Sequence, residues 1–206
     1  LANYATIKAA FDAVNAGTHT GSITIKIYGN TTETATASLN ASGAGSASYT
    51  AISVQPAGGA ARTVSGAIVA GSPLIDLNGA DNVTIDGLNS GGNALTISNT
   101  TASATSGTST IRFQADAINN TVNRCSVLGS PSMAAGTNGG VIYFAAGAVS
   151  TGNDNNTISN CLIGPAGANL PTKGIFGNGS TGTTTLNNSG ITINNNEIYD
   201  VFNAAT

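Results

Sequence analysis

Hydrophobic residues in this chain come mostly in short alternating bursts. Ile23, Ile25 and Ile27 alternate with polar neighbours, which places three isoleucines on one face of a strand. Similar bursts recur at 51–54, 74–77, 82–85, 95–97, 111–113, 141–144, 174–176 and 191–193. Tracts rich in Gly, Ser, Thr and Asn at 99–108, 129–140 and 177–189 read as loops. Residues 3–17 follow a different period. Ile7, Phe11 and Val14 recur at helical spacing, Asn3 offers an N-cap and Gly17 a left-handed stop. This predicts one amphipathic helix from about Tyr4 to Ala16. Lys8 and Asp12 lie on its polar face in the order that stabilises least.

A phrase repeats through the second half. It reads Asn82-Val-Thr-Ile85-Asp-Gly-Leu88, Asn120-Thr-Val122-Asn-Arg-Cys125, Asn156-Thr-Ile158-Ser-Asn-Cys161 and Gly190-Ile-Thr-Ile193-Asn-Asn-Asn196. Its apolar anchors Ile85, Val122, Ile158 and Ile193 step by 37, 36 and 35 residues. A fixed period of this kind marks a stack of coils, each burying its apolar face against its neighbours. The anchors should form one inward ladder, with Leu88, Cys125, Cys161 and Asn196 forming a second rung series three residues later. A second beat through Leu77, Phe113, Phe144 and Phe176 implies coils with two or three sheet faces. About six coils at ~4.8 Å between stacked strands make a rod roughly 25–30 Å long. Ile7, Phe11 and Val14 are expected to plug its apolar end.

Composition narrows the partners. Only 7 % of the residues are charged, while 40 % are hydrophobic, so the chain escapes the low-hydropathy, high-charge signature of disorder. A net charge of −3 offers no basic face for nucleic acid. No run of about 18 apolar residues is present, so no membrane insertion is expected. No composition break divides the chain, which reads as a single domain over residues 1–206: a helical cap and lead-in at 1–21, then coils at 22–206. The start at Leu1 and the apolar ending through Val201 and Phe202 are expected of a fragment of a longer chain, since terminal repeats need a polar outer face.

The phrases at 13–21, 75–87 and 155–160 carry a family resemblance. The chain resembles the right-handed parallel β-helix class of pectate-lyase-like architecture. More narrowly, it is similar to repeats of large secreted bacterial surface proteins, adhesin-like and exported by type IX secretion. The resemblance implies an all-β solenoid with an N-terminal capping helix, and an extracellular or cell-surface location.

Candidate chemistry is sparse. Cys125 and Cys161 occupy matching places in consecutive repeats and read first as small inward fillers. A disulfide between adjacent coils is the rival, favoured by an oxidising compartment. Asp76, Asp81 and Asp86 form the densest acidic group. Alternation turns Asp76 and Asp86 outward with Asp81 in the turn between, a weak candidate for Ca²⁺ or for paired acid–base work. Their other reading is solvated turn aspartates that bond nearby backbone N–H groups. Lys173, Arg112, Arg124 and His19 lie scattered over different repeats and strand positions. Threonine ladders on a flat β-helix face can bind ice, but Thr34-Ala-Thr36 and Thr183-Thr-Thr185 do not recur at the period. The Asn-x-Ser/Thr triplets are what this composition produces by chance.

These readings converge on a non-catalytic structural or adhesive segment. Its partners would be adjacent domains, copies of the same chain, and glycans, with no cofactor. A polysaccharide lyase, a glycosidase or a glycan-binding module is the alternative.

Overall fold

The computed structural model describes residues 2–89, 94–147, 149–180 and 182–202. Among these residues, one α-helix, α1 (Ile7–Asn15), is followed by seventeen short strands that fall into three sheets. Sheet A holds β1 (Thr20–Ile27), β4 (Ser48–Pro56), β7 (Val83–Asp86), β10 (Thr121–Asn123), β13 (Thr157–Ser159) and β16 (Thr192–Asn194). Sheet B holds β2 (Thr31–Glu33), β5 (Arg62–Gly66), β8 (Leu95–Ser103), β11 (Cys125–Pro131), β14 (Leu162–Gly164) and β17 (Glu197–Ile198). Sheet C holds β3 (Ala37–Asn40), β6 (Pro73–Asn78), β9 (Ser109–Gln114), β12 (Gly140–Phe144) and β15 (Ile175–Gly177). Each strand pairs in parallel with the strand three later in the chain. The fold is a parallel β-helix.

The anchors stack as their spacing predicts. Ile85 pairs with Val122, Val122 with Ile158, and Ile158 with Ile193. The first three are buried, whereas Ile193 is 49 % exposed because no further described coil lies on it. The core is a set of such columns. Val64, Ile97, Val127 and Ile163 line sheet B, and Ile75, Ile111 and Ile142 line sheet C.

Three expectations are corrected. The rung beside Cys125 is Leu95, not Leu88. Leu88 stands at a corner with φ 69°, and the chain reaches the sheet B register seven residues later. The second beat ends on Gly177 rather than Phe176. Phe144 pairs with Gly177, and Phe176 lies on the outer face beside Tyr143. Residues 99–103 and 129–131 continue strands β8 and β11 instead of opening loops.

Helix α1 is shorter than its apolar pattern allows, because Thr6 rather than Asn3 caps it. The Thr6 hydroxyl accepts from the Ala9 N–H at 3.1 Å. At the other end the Thr18 N–H reaches the Ala13 carbonyl and the Gly17 N–H the Val14 carbonyl, a Schellman stop with Gly17 at φ 72°. Ile7, Phe11 and Val14 are buried against the first coil. The carboxylate of Glu33, itself 1 % exposed, accepts from the Ile7 and Lys8 N–H groups at 3.0 Å each. A buried charge is thus met by orphan donors at the helix N-terminus.

Candidate functional site

The repeat phrase builds two corners. Asn82, Asn119, Asn155 and Gly190 open it with φ between 56° and 62°. Asn tolerates this left-handed turn better than other non-glycine residues. Arg124, Asn160 and Asn195 close it with φ of 53°, 55° and 51°. Gly87 holds the closing place in the first copy, where a Cβ would run into the Arg124 carbonyl of the next coil.

Asp76, Asp81 and Asp86 do not converge. Asp76 is on sheet C, Asp81 at the corner and Asp86 at the end of β7. The Asp76 side chain, outward but buried, takes a two-pronged bond from Arg112, Nε to Oδ1 at 2.9 Å and Nη2 to Oδ2 at 2.8 Å. Its Oδ2 also accepts from Gln114 Nε2 at 2.8 Å. Asp86 receives the same fork from Arg124 at 3.0 and 2.6 Å, plus the Leu88 N–H. Asp81 accepts from the Ile118 N–H, and burial raises its pKa against that bond. Among the described residues, no three His, Cys, Asp or Glu side chains stand close enough together to hold a metal ion.

The register gathers chemistry that looked dispersed along the chain. On the outer face of sheet C, Ser38, Asp76, Arg112, Tyr143 and Phe176 form one column across five coils. Beside it runs an amide ladder in which Gln114 donates to Asn78 and Asn78 to Asn40. Lys173 stands over the Phe176 ring at 4.2 Å from its centroid and donates to the Thr137 carbonyl. This column is the best-furnished candidate site, and its groups are already engaged. Both Asp76 oxygens are occupied. Burial raises the Tyr143 phenol pKa, with the Arg112 charge pulling back, so the phenol is a poor base near neutrality. Partial burial lowers the Lys173 pKa.

Other acidic groups follow the same rule. Asp116 accepts from Ser150, Thr151 and Gly152 in the following coil. Burial opposes its charge, but these bonds outweigh burial and lower its pKa. Asp154 accepts from the Ser189 N–H. Cys125 and Cys161 are free and buried, and their thiols contact backbone carbonyls. Burial pushes both thiol pKa values up.

Concave surface among the described residues includes two grooves. One, about 660 Å³, is lined by the corner residues Arg124, Asn160 and Asn195 together with Asn123, Asn196 and Glu197. The other, about 790 Å³, lies between α1 and β1, where the helix leaves Ile23 and Ile25 half-covered. Its polar members Tyr4 and His19 bond each other at 2.6 Å. No helix among the described residues is long and apolar enough to cross a membrane.

The signal missed in the sequence was register. Asp76 and Arg112 are 36 residues apart, and each directly precedes a member of the beat through Leu77 and Phe113, which already set them side by side. Comparison with protein-family models, curated proteins and solved structures finds no match for this chain.

Proposed function

We propose that this chain is a non-catalytic structural or adhesive scaffold segment within an extracellular bacterial surface protein. Its partners would be adjacent domains or further copies of the chain, with glycans as contacts. One observation carries the reading: five aspartates, groups capable of acid–base chemistry, are spent on ties between neighbouring coils. Asp76, Asp81, Asp86, Asp116 and Asp154 each bond to a group 34–38 residues away. An acid or base committed to such a bond would have to break it to reach a substrate. Low charge supports the same reading, because a neutral surface of hydroxyls and amides suits contact with other neutral polymers.

The carbohydrate-active alternative would place its chemistry on the sheet C column, where Asp76, Arg112, Tyr143 and Lys173 lie closest together. Incubating the protein with acidic and neutral polysaccharides, with and without Ca²⁺, separates the two. The scaffold reading expects no product. Product that disappears in Asp76→Asn and in the milder Tyr143→Phe, both checked for intact folding, would contradict it. Binding without cleavage would replace it with a glycan-binding module.

A further inference from the structure

The outer face of sheet A differs from those of sheets B and C. Thr84 pairs with Thr121, Thr121 with Thr157, and Thr157 with Thr192, so one residue type holds one strand position in four consecutive coils. Ser53 and Thr24 extend the row as hydroxyl residues through two more. Sheet B shows Thr63, Thr96, Ser126, Leu162 and Glu197 in its comparable row, and sheet C the mixed column described above. Two residues further along each strand lies a second polar row on sheet A: Asp86, Asn123, Ser159 and Asn194. No register shift interrupts the pairing from β4 to β16.

Several threonines elsewhere in the chain spend their hydroxyls on the backbone. Thr36, Thr100, Thr101, Thr108, Thr110 and Thr172 each donate to a carbonyl. Among the described residues, no such bond engages the hydroxyls of Thr84, Thr121, Thr157 or Thr192, and the first three face outward from between buried neighbours. β-Branching holds each of these side chains at χ1, so hydroxyl and methyl are presented in a repeated pose. The grid is set by the backbone, at about 4.8 Å between coils and about 6.6 Å between the two rows.

We infer that this face binds ice. Its step between coils lies close to the shorter repeat of water oxygens on the prism face of the ice lattice. A hydroxyl in a fixed pose anchors one water as donor and acceptor. A row of them orders water with the lattice period, and the interleaved methyl groups keep that layer from being pulled into bulk hydration. The central positions Thr121, Thr157, Asn123 and Ser159 are uncharged, and the charge of Asp86 is met by Arg124. A crystalline polysaccharide is the other periodic surface of similar spacing. These paired rows carry no aromatic ring to lie against sugar, so ice is the occupant the face favours. The inference does not rest on the scaffold reading.

The test uses the whole chain, fluorescently labelled, in slowly growing ice, with microscopy of single ice crystals and sedimentation with crystalline cellulose and chitin alongside. The expected result is incorporation into ice and faceting of the crystals. Both should fall to the level of an inert protein in Thr121→Tyr and weaken in the near-isosteric Thr157→Val. Thr96→Tyr on the outer face of sheet B should leave both intact. Melting curves confirm that each variant is folded. Exclusion of the wild-type protein from ice, or equal effects of Thr121→Tyr and Thr96→Tyr, would overturn the inference. Sedimentation with cellulose or chitin, lost in Thr121→Tyr and without any effect on ice, would also overturn it and give the face to polysaccharide.

Discussion

Asparagine serves two purposes in this chain, and backbone angle separates them. Asn119 and Asn155 turn the corner at φ 58° and 56°, while their successors Asn120 and Asn156 are buried and bond across coils. The Asn156 amide oxygen accepts from the Asn120 N–H, and its Nδ2 donates to the carbonyls of Ala117 and Asn153. Asn156→Ala should therefore cost about 2–4 kcal/mol in unfolding experiments, because it orphans buried backbone groups. Asn155→Gly should stay within about 0.5 kcal/mol of wild type, whereas Asn155→Val should lose about 1–2 kcal/mol to the left-handed turn. Asp116 gives a pH signature. Its folded pKa lies below the unfolded value, so its stabilisation is present above the ordinary aspartate range and is lost as pH falls through the folded pKa. The stability difference between wild type and Asp116→Asn should accordingly be largest near neutrality and fade on acidification. A difference that grows as pH falls would reverse the sign assigned here.

Elements were legible where the repeat speaks and opaque where it pauses. The ladder from Ile85 to Ile193 could be read from spacing alone, since each anchor sits in a phrase whose corners are set by Asn. Leu88 could not, because its copy carries Gly87 where later copies carry Arg124, Asn160 and Asn195, and the turn falls one residue later. Phe176 was placed one residue out of register, which moves a side chain from the core to the opposite face. The threonine row lay in plain view at 84, 121, 157 and 192, but a search for Thr-x-Thr within single strands passes over it. The pair of Asp76 and Arg112 could be read from the beat through Leu77 and Phe113, since each precedes one of its members; the rest of the sheet C column could not, because that beat slips at Phe176. Two comparisons test the elements. Phe11→Ala should lower unfolding stability by roughly 3–5 kcal/mol, the cost of emptying a fully buried ring site. Ile158→Ala should cost about 2–5 kcal/mol, and the half-exposed Ile193→Ala clearly less.

At the scale of the whole molecule, the coils are held by two systems with one period. Apolar columns fill the interior, and on the outside charged and amide side chains reach from each coil to the next. In a stack where each unit contacts only its neighbours, stability resides in those interfaces. A double-mutant cycle on Asp76 and Arg112 tests this claim most directly. Their pair is the better buried of the two forks, with side chains 6 % and 20 % exposed. Unfolding free energies of Asp76→Ala, Arg112→Ala and the double variant should show a coupling of about 1–3 kcal/mol, with each single change nearly as costly as both together. Additive losses with coupling near zero would show that the pair does not tie the coils. Asp76 and Arg112 would then be free for a substrate.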